Sequence, residues 1–172
     1  MIVTDVKVEG LQQLEARLLE LDAIAAKRLL TRATRRSLIK LERQATSNAG
    51  RFSRSGALAE SVRIVTVRPK GNETVAVQVG PKTKDKRAVA MHNVYYGRKR
   101  RSIFYGHLVE FGHSVRGSSG RHVKGKPWFS SAWGATRGGI LPEFQRIVRE
   151  GITRIEKRLR ARAAAPEGLI DP

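Results

Sequence analysis

The sequence predicts an α+β fold: a small antiparallel sheet packed by a long N-terminal helix and a C-terminal helix, with long basic loops. Three observations predict this class. Apolar residues recur at helical spacing near both ends of the chain, two runs between them alternate as strands do, and lysine and arginine crowd the segments that lack either pattern. Strands and helices therefore occupy separate parts of the chain, as is typical of α+β domains.

Length and composition fit one folded domain. The chain has 172 residues with a hydrophobic fraction of 40%, so we assign residues 1–165 to a single domain and residues 166–172 to a flexible C-terminal tail. No apolar run approaches the roughly 20 residues that a membrane span needs, and the N-terminus lacks a signal-peptide pattern. The absence of cysteine excludes disulfides, thiolate metal sites and thiol catalysis.

The N-terminal region predicts a short strand and a long helix. Residues 3–8 alternate as a strand does, and an apolar face follows Gly10 and continues to about Ala45. Its members are Leu11, Leu14, Leu18, Leu21, Ala25, Leu29, Ala33 and Leu41. An unbroken helix would be roughly 50 Å long, so either it breaks near Asp22 and Ala23 or part of it packs on a neighbouring subunit. Its second half is basic at Lys27, Arg28, Arg32, Arg35, Arg36, Lys40 and Arg43.

The middle of the chain predicts a loop, a hairpin and a basic insertion. Glycines and serines mark a loop over residues 48–56, and residues 61–68 and 74–80 form two strands joined by a turn at 69–73. Residues 81–103 are rich in lysine and arginine, with Asp85 as the sole acid. We interpret them as a basic loop insertion. A loop of this length in a compact domain is usually functional, or disordered when free.

The last third predicts a short helix, a second basic loop and a final helix. Residues 104–111 have helical spacing and Gly112 can cap them. Residues 113–126 form the second loop, before an apolar cluster at Trp128, Phe129 and Trp133. Gly138 and Gly139 break the pattern, and Pro142 opens the final helix. The apolar stripe of that helix is Phe144, Ile147, Val148, Ile152, Ile155 and Leu159.

Motifs for catalysis, cofactors or metals are missing from the sequence. The spacing of His107, Glu110 and His113 lets only adjacent pairs share a helix face, so we interpret them as surface histidines and a capping or ion-pairing glutamate. His92 and His122 add no recognised metal motif, and no phosphate-binding loop or nucleophile elbow occurs. We therefore predict no enzyme, no cofactor and no metal; a metal-dependent hydrolase on these three residues is a distant alternative.

Positive charge is the strongest functional signal. The net charge is +19, which favours nucleic acid, an acidic protein surface or both as partners. A solvated face is the alternative interpretation of such charge runs. The candidate DNA- or partner-facing residues are Lys82, Lys84, Lys86, Arg87, Arg98, Lys99, Arg100, Arg101, Arg116, Arg121, Lys124 and Lys126. Their phosphate contacts would be sequence-independent and salt-sensitive.

Five short elements, in order, resemble one family. They are Val6-Lys7-Val8-Glu9-Gly10-Leu11, Arg54-Ser55-Gly56-Ala57-Leu58 with Ser61-Val62, Val77-Gln78-Val79-Gly80-Pro81, Tyr105-Gly106-His107-Leu108-Val109-Glu110-Phe111-Gly112-His113, and Lys126-Pro127-Trp128-Phe129-Ser130-Ser131-Ala132. Together they are similar to the neck or tail-completion (head-tail joining) proteins of long-tailed phages with type 1 necks. Ser55, Gly106 and His113 depart from the family pattern, and residues 81–103 are longer and more basic than it.

The resemblance implies a structural virion protein of the head–tail joint. Such a protein forms a homo-oligomeric ring, assembled in the host cytoplasm, that connects the head connector to tail-terminator or tail-tube proteins around the channel for genomic DNA. Contact with that duplex would be weak and nonspecific. The motif residues with structural roles would be Gly56, Leu58, Val109, Glu110, Phe111, Gly112, Pro127, Trp128 and Phe129. Among them, Val109 and Phe111 would anchor in the core, Glu110 would pair with an arginine, and Gly112 would permit a turn.

The main alternative to a structural protein of the head–tail joint is a dedicated, non-sequence-specific nucleic-acid-binding protein. Tight binding by the isolated subunit with a steep salt dependence would identify it.

Overall fold

The computed structural model describes residues 23–68, 75–82, 84–97, 99, 105–114 and 122–163, and it confirms the predicted α+β class. The strand predicted at residues 3–8, the helix over 11–22 and the tail at 166–172 lie outside the described residues. The elements in order are α1 (Ala23–Ser37), α2 (Ile39–Phe52), α3 (Ala57–Ser61), β1 (Val62–Val67), β2 (Ala76–Pro81), α4 (Lys86–Tyr96), α5 (Gly106–Phe111), β3 (Gly112–Ser114), β4 (His122–Lys124) and α6 (Trp128–Ala163).

The N-terminal helix is interrupted at Leu38, between α1 and α2. Just before the break, the Ser37 hydroxyl donates to the Thr34 carbonyl at 2.9 Å, and the Thr34 hydroxyl donates to the Leu30 carbonyl at 2.9 Å. Hydroxyls that bond back to the helix carbonyls compete with the backbone ladder and bend helices. These bonds account for the position of the interruption.

The loop predicted over residues 48–56 is wrong in its first half, because α2 continues to Phe52. Asn48 and Ala49 are buried. The Asn48 side-chain amide donates to the Trp128 carbonyl at 3.0 Å and its oxygen accepts from Gln44 at 3.1 Å. Tertiary packing therefore extends the helix through residues whose individual preference is for turns.

The predicted hairpin is confirmed. Strands β1 and β2 pair antiparallel, with Val62 opposite Pro81 and Val67 opposite Ala76, while the turn at 69–73 lies outside the described residues. Val62 and Ile64 are buried on one face, as the alternation requires. The Glu42 carboxylate accepts a 2.9 Å bond from the Ile64 amide and so ties β1 to α2.

Two apolar clusters form most of the core, and α6 contributes to both. The first combines buried residues of α2, α3 and the start of α6, including Leu41, Leu58 and Trp128. In the second, Leu29 and Ala33 of α1 pack on Ile147, Val148 and Ile152 of α6. Gly151 allows this close approach, because an added Cβ would overlap the Leu29 side chain. The apolar stripe predicted for the final helix is confirmed except at Leu159, which is 56% exposed.

The break predicted at Gly138 and Gly139 is wrong, and so is a helix start at Pro142. Helix α6 spans 36 residues with Pro142 inside it, a length of about 54 Å at 1.5 Å per residue. An internal proline lacks the amide donor and costs about 3 kcal/mol. The helix persists because its two halves are each held by one of the apolar clusters, and packing outweighs local propensity.

The short helix predicted at residues 104–111 is confirmed as α5, whereas the loop predicted over 113–126 is partly strand. Strands β3 and β4 pair antiparallel with Gly112 opposite Lys124, and residues 115–121 lie outside the described part. Gly112 has φ 80° and ψ 177°, a conformation that is essentially restricted to glycine. No helix in the described ranges is both long and apolar enough to cross a membrane.

Replacing Gly112 by alanine is expected to lower the free energy of unfolding by at least about 1–3 kcal/mol, because the backbone conformation would be strained. The added Cβ would also collide with backbone atoms of β4 and lie 2.7 Å from the Gly125 nitrogen. Gly138→Ala is the matched control: its Cβ meets nothing within 4 Å, so it should raise stability by up to about 1 kcal/mol. Urea denaturation measures both. Equal stability of G112A and the parent would contradict this account of the turn.

Candidate assembly surfaces

Glu110 caps the long C-terminal helix from a separate element. Its buried carboxylate accepts bonds from the backbone amides of Phe129 at 2.8 Å and Ser130 at 2.9 Å, and from the Ser130 hydroxyl. These amides lie in the first turn of α6, where helical donors lack intrahelical partners and the dipole favours negative charge. Glu110 forms no ion pair with an arginine in the described part of the chain, so the expected arginine partner is replaced by this cap.

Two opposing effects set the pKa of Glu110. Burial favours the neutral acid and would raise the pKa, but the hydrogen bonds from Ser130, Phe129 and Trp128 together outweigh it and hold the pKa below the ordinary value. The carboxylate is therefore ionised at neutral pH, which is the form that caps the helix.

The residues around Glu110 connect the motif elements at 105–113 and 126–132. The Trp128 indole donates to the Gly106 carbonyl at 3.1 Å, and the Lys126 amide donates to the Val109 carbonyl at 2.7 Å. Val109 packs against the first core cluster, as expected. Phe111 does not: it is 77% exposed. Gly106 and Glu110 define the buried face of α5, and Phe111 lies about 100° further round the helix.

The motif element at 54–62 is joined to the same region. Gly56 has φ 68°, which favours glycine, and Leu58 is fully buried. The Ser53 hydroxyl lies 3.2 Å from the Tyr105 hydroxyl and accepts a 3.4 Å bond from the Leu58 amide. Val79 also packs on the first core cluster, so four of the five motif elements meet at that cluster.

Helix α4 occupies the middle of the segment that was predicted as a loop, so that prediction is wrong for Lys86–Tyr96. The Asp85 carboxylate accepts from the amides of Arg87 at 3.1 Å and Ala88 at 3.2 Å, and Gly97 ends the helix with φ 60°. Ala88 is buried against Ala57 of α3. Two capping residues and a short apolar contact thus order a segment whose charge density suggested a loop.

The described part of this segment presents two kinds of surface. Its first residues are basic and exposed, namely Lys82, Lys84, Lys86 and Arg87. Its other end is apolar and aromatic: Met91, Val94, Tyr95 and Tyr96 are 42%, 85%, 54% and 48% exposed. Clustered exposure of this kind marks protein interaction sites more often than isolated apolar residues do.

The remaining predicted basic residues fall in two groups. Lys99, Lys124 and Lys126 are exposed, and the Lys126 ammonium lies 5.3 Å from the centre of the half-exposed Phe52 ring. Arg98, Arg100, Arg101, Arg116 and Arg121 lie outside the described residues. The structure therefore places the described members in two stretches of the chain, one at and around α4 and the other at and just after β4.

The sequence identified the basic face of α1 but not the groove beside it. This α1 groove has a volume of about 1000 Å³ and an apolar floor formed by Ile24, Ile39 and Ile64. Its cationic rim comprises Lys27, Arg28, Arg32, Arg35 and Arg36. A second, smaller groove of about 230 Å³ separates α1 from α6 and is lined by Arg28, Arg32, Arg154 and Arg158.

Most of the acidic side chains in the described ranges are already used within the subunit. Arg63 pairs with Glu60 at 2.8 Å, and Arg146 pairs with Glu143 at 2.7 Å and with Glu150. Glu42, Asp85 and Glu110 accept bonds from backbone amides, so six of the seven described acids are engaged. Glu42 is the one described acid that lines either groove, so most of the cations there depend on groups from elsewhere for neutralisation.

Two of the four histidines, His107 and His122, are exposed as predicted, and the four do not converge on one site. His92 is buried, with its ring centre 4.7 Å from that of Tyr96 and 5.8 Å from that of Tyr105. His107 is exposed and His113 is half-buried. Over the described residues, no three histidine, aspartate or glutamate side chains group as a metal site requires.

The comparison with known families identifies the class of protein as a phage structural component. A family model described as "Bacteriophage HK97-gp10, putative tail-component" matches residues 10–112, more than half of the chain. The chain belongs to this family, and the family resemblance predicted from the motifs is confirmed. The match ends at Gly112 and omits the element at 126–132. Searches of curated proteins and of solved structures find no match.

Glu110→Gln is expected to lower the free energy of unfolding at pH 7 by roughly 1–3 kcal/mol, because bonds to a charged acceptor are lost from a buried site. The depressed pKa sets the pH dependence. The carboxylate contributes fully above 4.5, and its contribution disappears as the pH falls through the lower pKa of the folded state. The stability difference between E110Q and the parent should therefore shrink in acid.

Glu143→Gln is the matched control, since it removes a more exposed carboxylate from α6 itself. It should lower stability less than E110Q does, because exposed ion pairs contribute little. Urea denaturation from pH 3 to pH 7 measures all three proteins. A difference between E110Q and the parent that grew in acid would contradict the assigned role.

Proposed function

We propose that the protein is a non-enzymatic subunit of a ring at the phage head–tail joint, connecting the head connector to the tail around the DNA channel. The observation that carries this proposal is membership of a tail-component family combined with a surface of cations that internal acids leave unneutralised. A structural subunit beside DNA and other virion proteins supplies such a surface with partners.

Ring formation is supported by the distribution of contact surfaces. The aromatic end of α4 and the α1 groove present different chemistry on different elements. Head-to-tail contacts between unlike surfaces generate rings when the rotation closes. Head-completion or connector proteins and tail-terminator or tail-tube proteins would cover the surfaces that remain. The ring would be assembled in the host cytoplasm and retained in the virion.

Contact with DNA would be through phosphates. Duplex DNA carries one negative charge per about 1.7 Å of axis, and binding to it releases counterions without reading sequence. A ring that passes DNA requires weak contact, and exposed lysines and arginines that contact phosphates supply it. Part of the charge would face the channel, and part would face acidic surfaces on the connector.

A dedicated nucleic-acid-binding protein is the second candidate, favoured by the groove that Arg28, Arg32, Arg154 and Arg158 line between two helices. It differs from the ring subunit in one measurable respect. The isolated protein would bind duplex DNA tightly, and affinity would fall steeply as salt is raised.

Particles made without this protein are expected to accumulate as filled heads separated from tails, because the joint would be incomplete. Electron microscopy of lysates from a deletion phage, with a complemented deletion as control, shows this directly. Normal infectious particles in the deletion would overturn the proposed function and direct attention to the DNA-binding candidate.

Replacing Lys82, Lys84, Lys86 and Arg87 by alanine is expected to reduce the yield of joined particles at least tenfold while leaving the folded subunit intact. Surface substitutions of this kind typically change stability by less than about 0.5 kcal/mol each. Arg137, Arg149, Lys157 and Arg160, all exposed on α6, form a control set with the same change in charge. Unchanged particle yield with the first set would remove that segment from the interface. The same test applies to Arg98, Lys99, Arg100 and Arg101.

A further inference from the structure

The α1 groove has the chemistry of a docking site for an acidic, apolar segment. Ile24 is 61% exposed, Ile39 is half-buried, and Ile64 is buried at the base of the groove, whose lining also holds five cations. Like charges along one rim repel one another, and the exposed Ile24 side chain is costly in water. A purely anionic ligand would neutralise the cations of the rim but would leave the apolar floor in contact with water. The complementary occupant therefore carries both carboxylates and leucine-like side chains.

The chain contains one such segment, and it lies immediately before α1. Residues 1–22 hold five acidic residues against Lys7 and Arg17, whereas the rest of the chain holds 10 acidic and 32 basic residues. One third of all the acids are thus in the first 22 positions, where they are Asp5, Glu9, Glu15, Glu20 and Asp22. The first 22 residues are therefore opposite in charge to the cationic rim of the α1 groove.

The apolar pattern of the segment matches the floor as well. Leu11, Leu14, Leu18 and Leu21 recur at helical spacing, and on a helical projection Glu15 and Asp22 fall beside that stripe. A helix over residues 11–22 would be about 18 Å long. The part of α1 that lines the groove runs from Ala23 to Arg36 and is about 20 Å long. The segment therefore fits the groove in length, polarity and charge.

We propose that residues 11–22 of one copy dock in the α1 groove of the neighbouring copy, with the leucines on the isoleucine floor and the acids at the arginine rim. The inference rests on the proposed function for the presence of a neighbouring copy. Residues 11–22 contain no glycine, proline or asparagine that would turn the chain back. Because the sequence has no such turn signal, we take the acceptor groove to be that of a neighbouring copy.

This contact explains how subunits of like charge assemble. Each copy donates a segment with a net charge of −2 and receives one in a groove lined by five cations and one carboxylate, that of Glu42. Donor and acceptor surfaces differ, so the contact is head-to-tail, the type that closes into rings. The contact covers the apolar floor of the groove and pairs the acids of one copy with the cations of the next.

Cysteine cross-linking tests the docking directly, because the chain has no native cysteine. The full-length Leu18→Cys/Ile39→Cys and Leu18→Cys/Ile64→Cys variants, oxidised in purified protein and in particles, should give a ladder of covalent multimers on non-reducing gels. Leu18→Cys with Val94→Cys, on the exposed face of α4, is the matched control and should stay uncross-linked. Monomers closed on themselves, or no cross-link in any groove pair, would overturn the proposal.

A charge swap provides a second readout that is independent of any single cysteine position. Arg35→Glu with Arg36→Glu should reduce multimers at least tenfold in sedimentation or in cross-linked particles, and adding Glu15→Arg with Asp22→Arg should restore them. Arg149→Glu with Arg160→Glu makes the same change in net charge on α6 and should leave multimers unchanged. Failure of the rescue would also overturn the docking.

The two proposals fail in different ways. If the cysteine variants give multimer ladders but the deletion phage still yields joined particles, the docking proposal stands and the proposed neck function is wrong. Separated heads and tails in the deletion, together with cross-links only within a monomer, would retain the neck function and remove the docking.

Discussion

The fold depends on one ionised carboxylate at the start of its longest helix. Glu110 reaches from α5 to the first amides of α6, and the same turn is held by the Trp128 indole and by Asn48 of α2. A buried charge is tolerated only when it is well hydrogen-bonded, so the positions of α5 and α6 are fixed together. Because α6 then supplies one side of both apolar clusters, the placement of its first turn determines how α1, α2 and α3 pack.

Features with a strong local pattern were predictable from the sequence. The hairpin of β1 and β2 follows from alternation, and the buried positions Leu29, Ala33 and Leu41 follow from helical spacing. The continuous α6 was not predictable, because glycine and proline signal a break locally while packing at both ends prevents it. Helix α4 was not predicted, although Asp85 and Gly97 are ordinary capping residues. The high density of basic residues around it is more typical of a solvated loop.

The candidate surfaces were predictable in charge and not in shape. The basic face of α1 is visible as spacing, but the α1 groove also needs Ile64 from β1, and only the tertiary fold brings that strand beside the helix. Likewise, composition gives the number of acids, while the structure shows that Glu42, Glu60 and most of the others are already engaged. The burial predicted for Phe111 is wrong for a related reason. A short helix has one buried face, and the sequence does not show which of its residues lie on that face.

The proline within α6 has a mechanical consequence. At its middle the helix lacks one backbone hydrogen bond, and a Cβ added at Gly134, Gly138 or Gly139 would meet no neighbouring atom in the described part of the chain, so the glycine face of this section is open. A rod supported at both ends and weakened between them bends there first. Ile140 packs on the first apolar cluster and Phe144 on the second, so the bend at Pro142 lies between the two clusters and is the place where they can tilt relative to each other.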